Sequence, residues 1–257
     1  MLYFLGGDFD IVAFIAFIII AVLAFAYHEL GHAVAADRLG DPTPRMHGRM
    51  TLNPFPHLSL FGMVMLILIG FGWAVTPINP NRMRGNPRTS HAIVAIAGPL
   101  GNLLMAILFA IPLRLMFGGF LFSTPGVVTE FVQTLCVIGV RLNIFLIAFN
   151  LLPIPPLDGF WVLRGVLPPD LAYRLDGLQQ YGTAIFLIVI FALPYVGLSI
   201  FPAMNGFTNQ VFDLLVFGFS FFINTFTSFE LSILSICFNS YCHLTIINQN
   251  YYITFRG

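Results

Sequence analysis

Charged side chains are scarce in this sequence. Only 9% of its 257 residues are charged, whereas 58% are hydrophobic, and the mean hydropathy is +0.90. A soluble domain carries about 25% charged residues, so this chain has too little charge to cover a water-facing surface. Several of its apolar runs also reach the length of a bilayer span. The composition excludes an ordinary soluble domain and predicts an all-α polytopic membrane protein.

Lysine is absent, and the eleven arginines balance eleven acidic residues. No excess charge points to nucleic acid, so the lipid bilayer is the partner that the composition predicts. Cys136, Cys237 and Cys242 are too few and too badly spaced for a disulfide framework or a cysteine-based zinc site. We expect them to be small apolar fillers.

The N-terminus has no basic region before its first apolar run and carries Asp8 and Asp10 instead. This pattern does not fit a cleavable signal peptide. The apolar run continues without a helix breaker until Gly40 and Pro42, which predicts one retained helix over about 10–38.

Further apolar runs predict a helical bundle of about five to six transmembrane helices, forming a single domain over 1–228. These runs cover about 60–75, 91–117, 127–150, 182–201 and 207–227. The tail at 229–257 changes composition, with more Asn, Tyr and Ser and no proline. A last helix, an appended interaction segment and sequence unrelated to the core all remain open for this tail.

A potential metal site stands at the end of the first predicted helix, in the sequence HELGH. His28 and His32 are four residues apart and share one helix face, so two imidazole nitrogens can converge on a tetrahedral Zn²⁺. Glu29 is one step round the helix, where a carboxylate can act on the attacking water. The alternative is a structural histidine pair satisfied by its neighbours.

Two histidines leave a zinc ion in need of a third protein ligand. Asp158 is the candidate, because it follows the prolines of PIPPLDG and precedes a glycine. Membrane proteins build polar sites at depth from such broken segments. The alternative role for Asp158 is to cap a helix beginning at about Phe160.

Three ordered motifs, HELGHA at 28–33, AGPLGN at 97–102 and NLLPIPPLDG at 150–159, resemble those of the site-2 protease family of intramembrane zinc metalloproteases, peptidase family M50. The resemblance covers about residues 10–200. It implies that His28, His32 and Asp158 bind one zinc ion and that Glu29 is the general acid and base. The chain has no room for the PDZ or CBS domains of larger members.

The resemblance also implies roles for three further residues. Asn150 begins the segment that contacts substrate or transition state, and Asn102 supports the site. His57 ends NPFPH, which resembles an NPxxH segment of the family, but Ser59 replaces an acidic residue that relatives often carry there.

Zinc coordination restricts the topology. If 60–75 crossed the bilayer, Asp158 would lie about 30 Å from His28, on the opposite membrane face. We therefore expect 60–75 to form a re-entrant loop or short hairpin. With that arrangement all but one of the loop arginines fall on one side: Arg38, Arg45, Arg49, Arg82, Arg84, Arg88, Arg164 and Arg174. Arg114 alone lies opposite.

Positive charge marks the cytoplasmic side, so the active site is predicted to open toward the cytoplasm, in a multi-pass protein of the plasma membrane. Arg141 lies inside an apolar helix and is expected either to pair with Glu130 or to extend to a membrane boundary.

Together these features predict hydrolysis of peptide bonds within or near transmembrane segments of membrane-protein substrates. The alternative is a transporter or channel that moves an ion or metal through broken helices with intramembrane charges. That alternative does not explain why Glu29 adjoins the histidine pair.

Overall fold

A computed structural model of the chain describes residues 10–57, 62, 64, 75–121, 126–218, 242–247 and 250–255. The chain divides into two compact units, Met1–Val216 and Phe217–Gly257. The predicted domain boundary at 228 lies outside the described residues and stays a prediction.

The described part of the first unit is helical. Its helices are α1 Ile11–Leu39, α2 Thr43–Met46, α3 Pro87–Phe117, α4 Val127–Asn150, α5 Asp158–Val166, α6 Pro169–Gln179, α7 Gly182–Leu187 and α8 Phe201–Phe217. Short 3₁₀ turns cover Phe55–His57 and Pro80–Arg82. The all-α fold that the composition predicts is confirmed for this unit.

Helix α1 begins and ends where local chemistry requires. The Asp10 side chain caps it by accepting hydrogen bonds from the backbone N–H groups of Val12 and Ala13. Gly40 ends it in the left-handed conformation, with a φ of 105°. The predicted helix over 10–38 is therefore confirmed, and HELGH lies in its C-terminal part.

Three described helices, α1, α3 and α4, are long and apolar enough to cross a membrane. A fourth span is possible if α6 and the segment Gly182–Val196, which meet at a bend of 78°, count as one. The predicted total of five to six stays a prediction, because α8 has 17 described residues and most of 60–75 lies outside the described residues.

The ends of the segment 40–83 lie together. The backbone N–H of Arg84 donates to the carbonyl of Leu39 at 2.7 Å. The chain therefore leaves α1 and enters α3 on one side, with no net crossing between them. This agrees with the topology expected for 60–75, although the re-entrant loop itself falls outside the described residues.

Helices α1 and α3 pack backbone to backbone. A Cβ placed on Gly31 would lie 2.3 Å from the carbonyl oxygen of Ala97, so only glycine permits this approach. An apolar core joins α3, α4 and α8 through Leu113, Ile144 and Phe212. Cys136 is buried in that core with a free thiol, as an apolar filler would be.

The apolar run at 182–201 is not one regular helix. Helix α7 passes into a π turn at Ile188–Ala192 and a 3₁₀ turn at Leu193–Val196, and Gly197 then takes a φ of 81°. Pro194 removes a backbone donor inside this run, which explains the irregularity. Helix α8 begins at Phe201, six residues before the predicted start at 207.

Arg141 of α4 does not pair with Glu130, so that alternative is wrong. Its Nη1 donates to Oδ1 of Asn209 at 3.1 Å, and its guanidinium carbon lies 4.6 Å from the centre of the Phe212 ring. Helix α8, rather than an acidic residue of α4, supplies the partners.

Within the second unit, the described residues after 241 form an antiparallel pair of strands, β1 Cys242–Ile247 and β2 Asn250–Phe255. Cys242 is opposite Phe255, and Ile247 is opposite Asn250. Of the three possibilities left open for the tail, a last helix does not describe these twelve residues.

Candidate metal centre

The HELGH residues lie in a buried part of α1. His28 and Glu29 are each 6% exposed and His32 is 9% exposed. One potential ligand atom from each of the three side chains lies within 4.8 Å of the others. Because residues four apart share a helix face, both imidazole rings point to the same side of α1.

Asp158 joins the histidine pair from a distant part of the chain. Its Oδ2 lies 3.1 Å from Nε2 of His28 and 3.3 Å from Nε2 of His32. The two Nε2 atoms are 3.0 Å apart. We call these three atoms the donor triangle.

The alternative role for Asp158, capping the next helix, is wrong. Helix α5 starts at Asp158 itself, and its N-cap position is Leu157 with no side-chain cap hydrogen bond. The turn after the prolines thus directs the carboxylate into the donor triangle.

Hydrogen bonds fix the proton positions on both histidine rings. Nδ1 of His28 lies 2.6 Å from Oδ1 of Asn102, and Nδ1 of His32 lies 2.8 Å from the carbonyl oxygen of Val94. The Val94 carbonyl can only accept, and the Asn102 amide is oriented with its oxygen toward the ring, so each Nδ1 carries the proton. Each neutral ring therefore presents a lone pair at Nε2.

Each atom of the donor triangle therefore presents a lone pair, and no proton lies between the three atoms. Oδ2 of Asp158 is buried and has no hydrogen-bond partner among the described residues. Buried polar atoms without partners are costly, and a cation among them would remove that cost. Ligands bound to zinc at about 2.0 to 2.2 Å in a tetrahedron are separated by roughly 3.3 Å, close to the distances observed here.

A chain of amides orients His28. The Nδ2 of Asn102 donates to the carbonyl of Ala24 at 3.1 Å and to Oδ1 of Asn143 at 2.9 Å. The Asn143 amide in turn donates to the carbonyl of Gly139 at 2.7 Å. Asn102, which the motif AGPLGN suggested as a supporting residue, thus lies against His28, and its role stays a prediction. Asn143 was not identified from the sequence. The signal for it was a polar amide inside an apolar helix.

Gly98 lets α3 approach the metal centre. A Cβ at this position would lie 2.4 Å from Cε1 and Nε2 of His32 and 2.8 Å from Cε1 of His28. Those rings are held in place by Asn102 and Val94 and have little freedom to move. The first glycine of AGPLGN is therefore a requirement of the site.

Glu29 provides an unsatisfied carboxylate beside the donor triangle. Its Oε2 is buried without a hydrogen-bond partner among the described residues. Its backbone carbonyl accepts a hydrogen bond from the Thr76 hydroxyl at 3.2 Å. This bond attaches the chain segment before α3 to the C-terminal part of α1.

Asn150 and His57 form no described hydrogen bond to the donor triangle. The Asn150 amide donates to the carbonyl of Leu146 in its own helix at 3.0 Å. His57 is 1% exposed, and its Nε2 donates to the Thr51 carbonyl at 2.9 Å, while its buried Nδ1 has no partner in the part of the chain that the structure describes. The structure does not bring either residue to the donor triangle, and their roles stay predictions.

Comparison with known proteins identifies the family. The profile of peptidase family M50 matches residues 14–193. The chain belongs to peptidase family M50. The expected relation to the site-2 proteases is thereby confirmed, and the chain is an integral membrane protein of a metallopeptidase family.

Several relatives carry the provisional name of a zinc metalloprotease. YwhC of Bacillus subtilis is 35% identical over 198 residues, 77% of this chain and 89% of that protein. Rip2 of Mycolicibacterium smegmatis is 33% identical over 78% of this chain and 71% of its own length. A relative from Methanocaldococcus jannaschii is 30% identical over 61% of this chain and 73% of its own length. No solved structure gives a significant match.

Proposed function

We propose that this M50 peptidase is a zinc-dependent endopeptidase that cleaves membrane proteins within or near their transmembrane segments. The observation that carries the proposal is the donor triangle, in which three atoms from α1 and α5 meet at separations of 3.0 to 3.3 Å. The names of YwhC and Rip2 support zinc as the metal.

His28, His32 and Asp158 would hold the single ion. Two neutral imidazoles and a carboxylate form a ligand set that zinc accepts in hydrolytic enzymes, with a fourth position left for water or substrate. Zinc bound there supplies Lewis-acid chemistry, lowering the pKa of water to about 7 and polarising a peptide carbonyl.

Glu29 is the proposed general base and acid. Its buried, unsatisfied Oε2 can take a proton from the attacking water and later return it to the leaving amine. Asn102 and Val94 hold the two histidine rings in the tautomer that keeps Nε2 available. These positions are set before substrate arrives, which reduces the cost of organising the transition state.

The substrate class follows from the location of the site. The metal centre lies between helices that are long and apolar enough to span a bilayer. A helical substrate must open locally there, because its carbonyls are hydrogen-bonded and shielded from attack. We therefore propose that cleavage favours segments with Gly, Pro or Asn, and that Asn150 contacts the opened substrate.

The sidedness is part of the proposal. We infer that the donor triangle opens on the side of the arginine-rich segments after α1 and before α3, because HELGH lies in the C-terminal part of α1. Positive charge marks the cytoplasmic face. We place the protein in the plasma membrane, with the active site opening to the cytoplasm.

Glu29→Gln tests the proposed chemistry. This change keeps the size of the side chain and the three donor atoms, so zinc content should remain at one ion per chain. Cleavage of a membrane-protein substrate should fall at least about 100-fold, since general acid and base catalysis contributes about 10² to 10⁴.

Glu130→Gln, at an exposed acidic position in the first turn of α4, is the matched control and should keep full activity. Full activity in Glu29→Gln would refute the assigned role. Metal-dependent flux through liposomes with no proteolysis would support the transporter instead.

A further inference from the structure

A cavity of about 640 Å³ lies beside the metal centre. The segment before α3, the N-terminal end of α3, and helices α5 and α6 line it. None of the three donor residues lines the cavity. Its polar lining includes Arg88, His91, Arg164, Tyr173 and Asp176.

The cavity and the metal centre share two helices. On α3, Arg88 and His91 line the cavity, while Val94 and Gly98 further along contact the histidine rings. Arg88 is six positions before Val94 and ten before Gly98, which is about 9 to 15 Å of helix. The cavity therefore lies about 10 Å closer than the metal centre to the membrane side on which α3 begins.

Helix α5 runs back along α3 between the two sites. Asp158 at its start lies in the donor triangle, whereas a Cβ on Gly165 would lie 2.3 Å from Cβ of Ala92. Trp161 and Arg164 therefore face the cavity as α5 leaves the metal centre. An extended peptide covers 10 Å in about three residues, so a substrate whose scissile bond lies at the metal centre would reach the cavity with its third residue.

The lining contains one cation without an anionic partner. Arg164 donates from Nε and Nη2 to the two carboxylate oxygens of Asp176, so its charge is compensated. The His91 ring stacks on Trp161, with centres 4.1 Å apart, and forms a planar wall. Arg88 makes no ion pair with the described residues. An arginine keeps its charge at any physiological pH, so this position favours an acidic ligand.

We propose that this cavity binds the substrate residues about three to five positions from the scissile bond, on the membrane side where α3 begins, and that Arg88 selects an acidic side chain among them. The inference rests on the proposed proteolytic function. It adds a specificity-determining residue that neither binds metal nor transfers a proton.

A charge reversal provides the test. The probes are single-span reporter proteins in lipid vesicles, each with a Gly-Pro break in its span, and the cleavage position is mapped by mass spectrometry. Reporters carrying Asp or Arg at the third, fourth or fifth residue from the cut are then compared by kcat/KM. The wild type should prefer Asp about fivefold or more at one of these positions, because a hydrogen-bonded charge pair provides such discrimination. Arg88→Glu should reverse the preference toward Arg.

Arg174→Glu is the matched control. Arg174 is an exposed arginine of α6 that does not line the cavity, so this variant should keep the wild-type ratio. If Arg88→Glu keeps the wild-type ratio of kcat/KM between Asp and Arg reporters, or loses activity equally on every reporter, the proposed role of the cavity is overturned. Cleavage of the reporters by the wild type would in that case still support the proposed proteolytic function. A zinc-loaded wild type that cleaves none of the reporters contradicts the proposed function itself.

Discussion

Asn143 is a single amide whose effect on the metal centre passes through another residue. It is completely buried and accepts from Asn102, which orients His28. Replacing a group that orients a metal ligand usually lowers metal affinity 10- to 100-fold. We expect Asn143→Leu to weaken zinc binding about tenfold, because it acts one step removed from the ligand.

Competition titration with a fluorescent zinc chelator in detergent measures this effect. Gln133→Leu, a change of similar size in the same helix, should bind zinc like the wild type. Equal affinity in Asn143→Leu and the wild type would show that the amide chain does not hold His28.

At the residue scale, the sequence predicts the relative positions of side chains that are set by local structure, within one helix or at one chain break. His28 and His32 are tied by the four-residue repeat of α1, and the prolines before Asp158 indicate a broken segment. Asn143 and the Val94 carbonyl were not predictable in the same way. Their partners are 41 and 62 residues away, and such contacts depend on how the helices are rotated against one another.

Among the elements, the approach of α3 to α1 depends on Gly98. An alanine there would place its Cβ inside contact distance of both histidine rings. We expect Gly98→Ala to lower zinc content to less than about a tenth of the wild-type value, because relieving the overlap displaces at least one ring from the donor triangle.

Gly206→Ala provides the comparison for that measurement. Gly206 lies in α8, where an added Cβ meets no atom within 4 Å, so its zinc content should be unchanged. Metal analysis of both purified variants separates the two cases, and full zinc loading of Gly98→Ala would contradict the proposed steric role.

Asp41 connects the end of α1 to the segment before α3. This buried carboxylate accepts hydrogen bonds from Thr43 and from the backbone N–H of Asn79. Burial raises the pKa of Asp41, but these hydrogen bonds outweigh burial and hold the pKa below its usual value. The ionised form therefore stabilises the fold above the ordinary pKa of about 3.9, and this contribution is lost as pH falls through the lowered value.

Asp41→Asn should destabilise the protein by about 1 to 2 kcal/mol at pH 7, as expected for hydrogen bonds to a charged group. The difference from the wild type should shrink as pH falls below about 4. Thermal unfolding in detergent from pH 7 to pH 3 measures both, and a difference that stays constant over this range would contradict the account.

The predicted bounds were accurate for the long apolar runs of α1 and α4. α1 has Asp10 and Gly40 at its ends, and α4 matches the predicted range 127–150. The regular helix predicted over 182–201 was less accurate, because hydropathy alone does not show that Pro194 removes a backbone hydrogen-bond donor. The distance between α1 and α3 could not be predicted from the sequence either, because it depends on which glycines of the two helices face each other.

For the whole molecule, the proposed sidedness predicts opposite labelling of two loops. His47 follows α2, and Phe120 follows α3 and is 81% exposed. In a chain with Cys237 and Cys242 changed to Ser, His47→Cys should react with a membrane-impermeant maleimide only in inside-out vesicles. Phe120→Cys should react only in intact cells, and the reverse pattern would invert the proposed orientation.

Zinc content with and without Asp158 tests the central claim most directly, because the donor triangle unites residues 130 positions apart into one coordination sphere. Metal analysis of the purified wild type should give one zinc ion per chain, and Asp158→Ala should lose most of it. Asp170→Ala, at an exposed site in α6, should keep the ion. Wild-type protein that binds no zinc, or an Asp158→Ala variant that binds it as tightly as the wild type, would contradict the account.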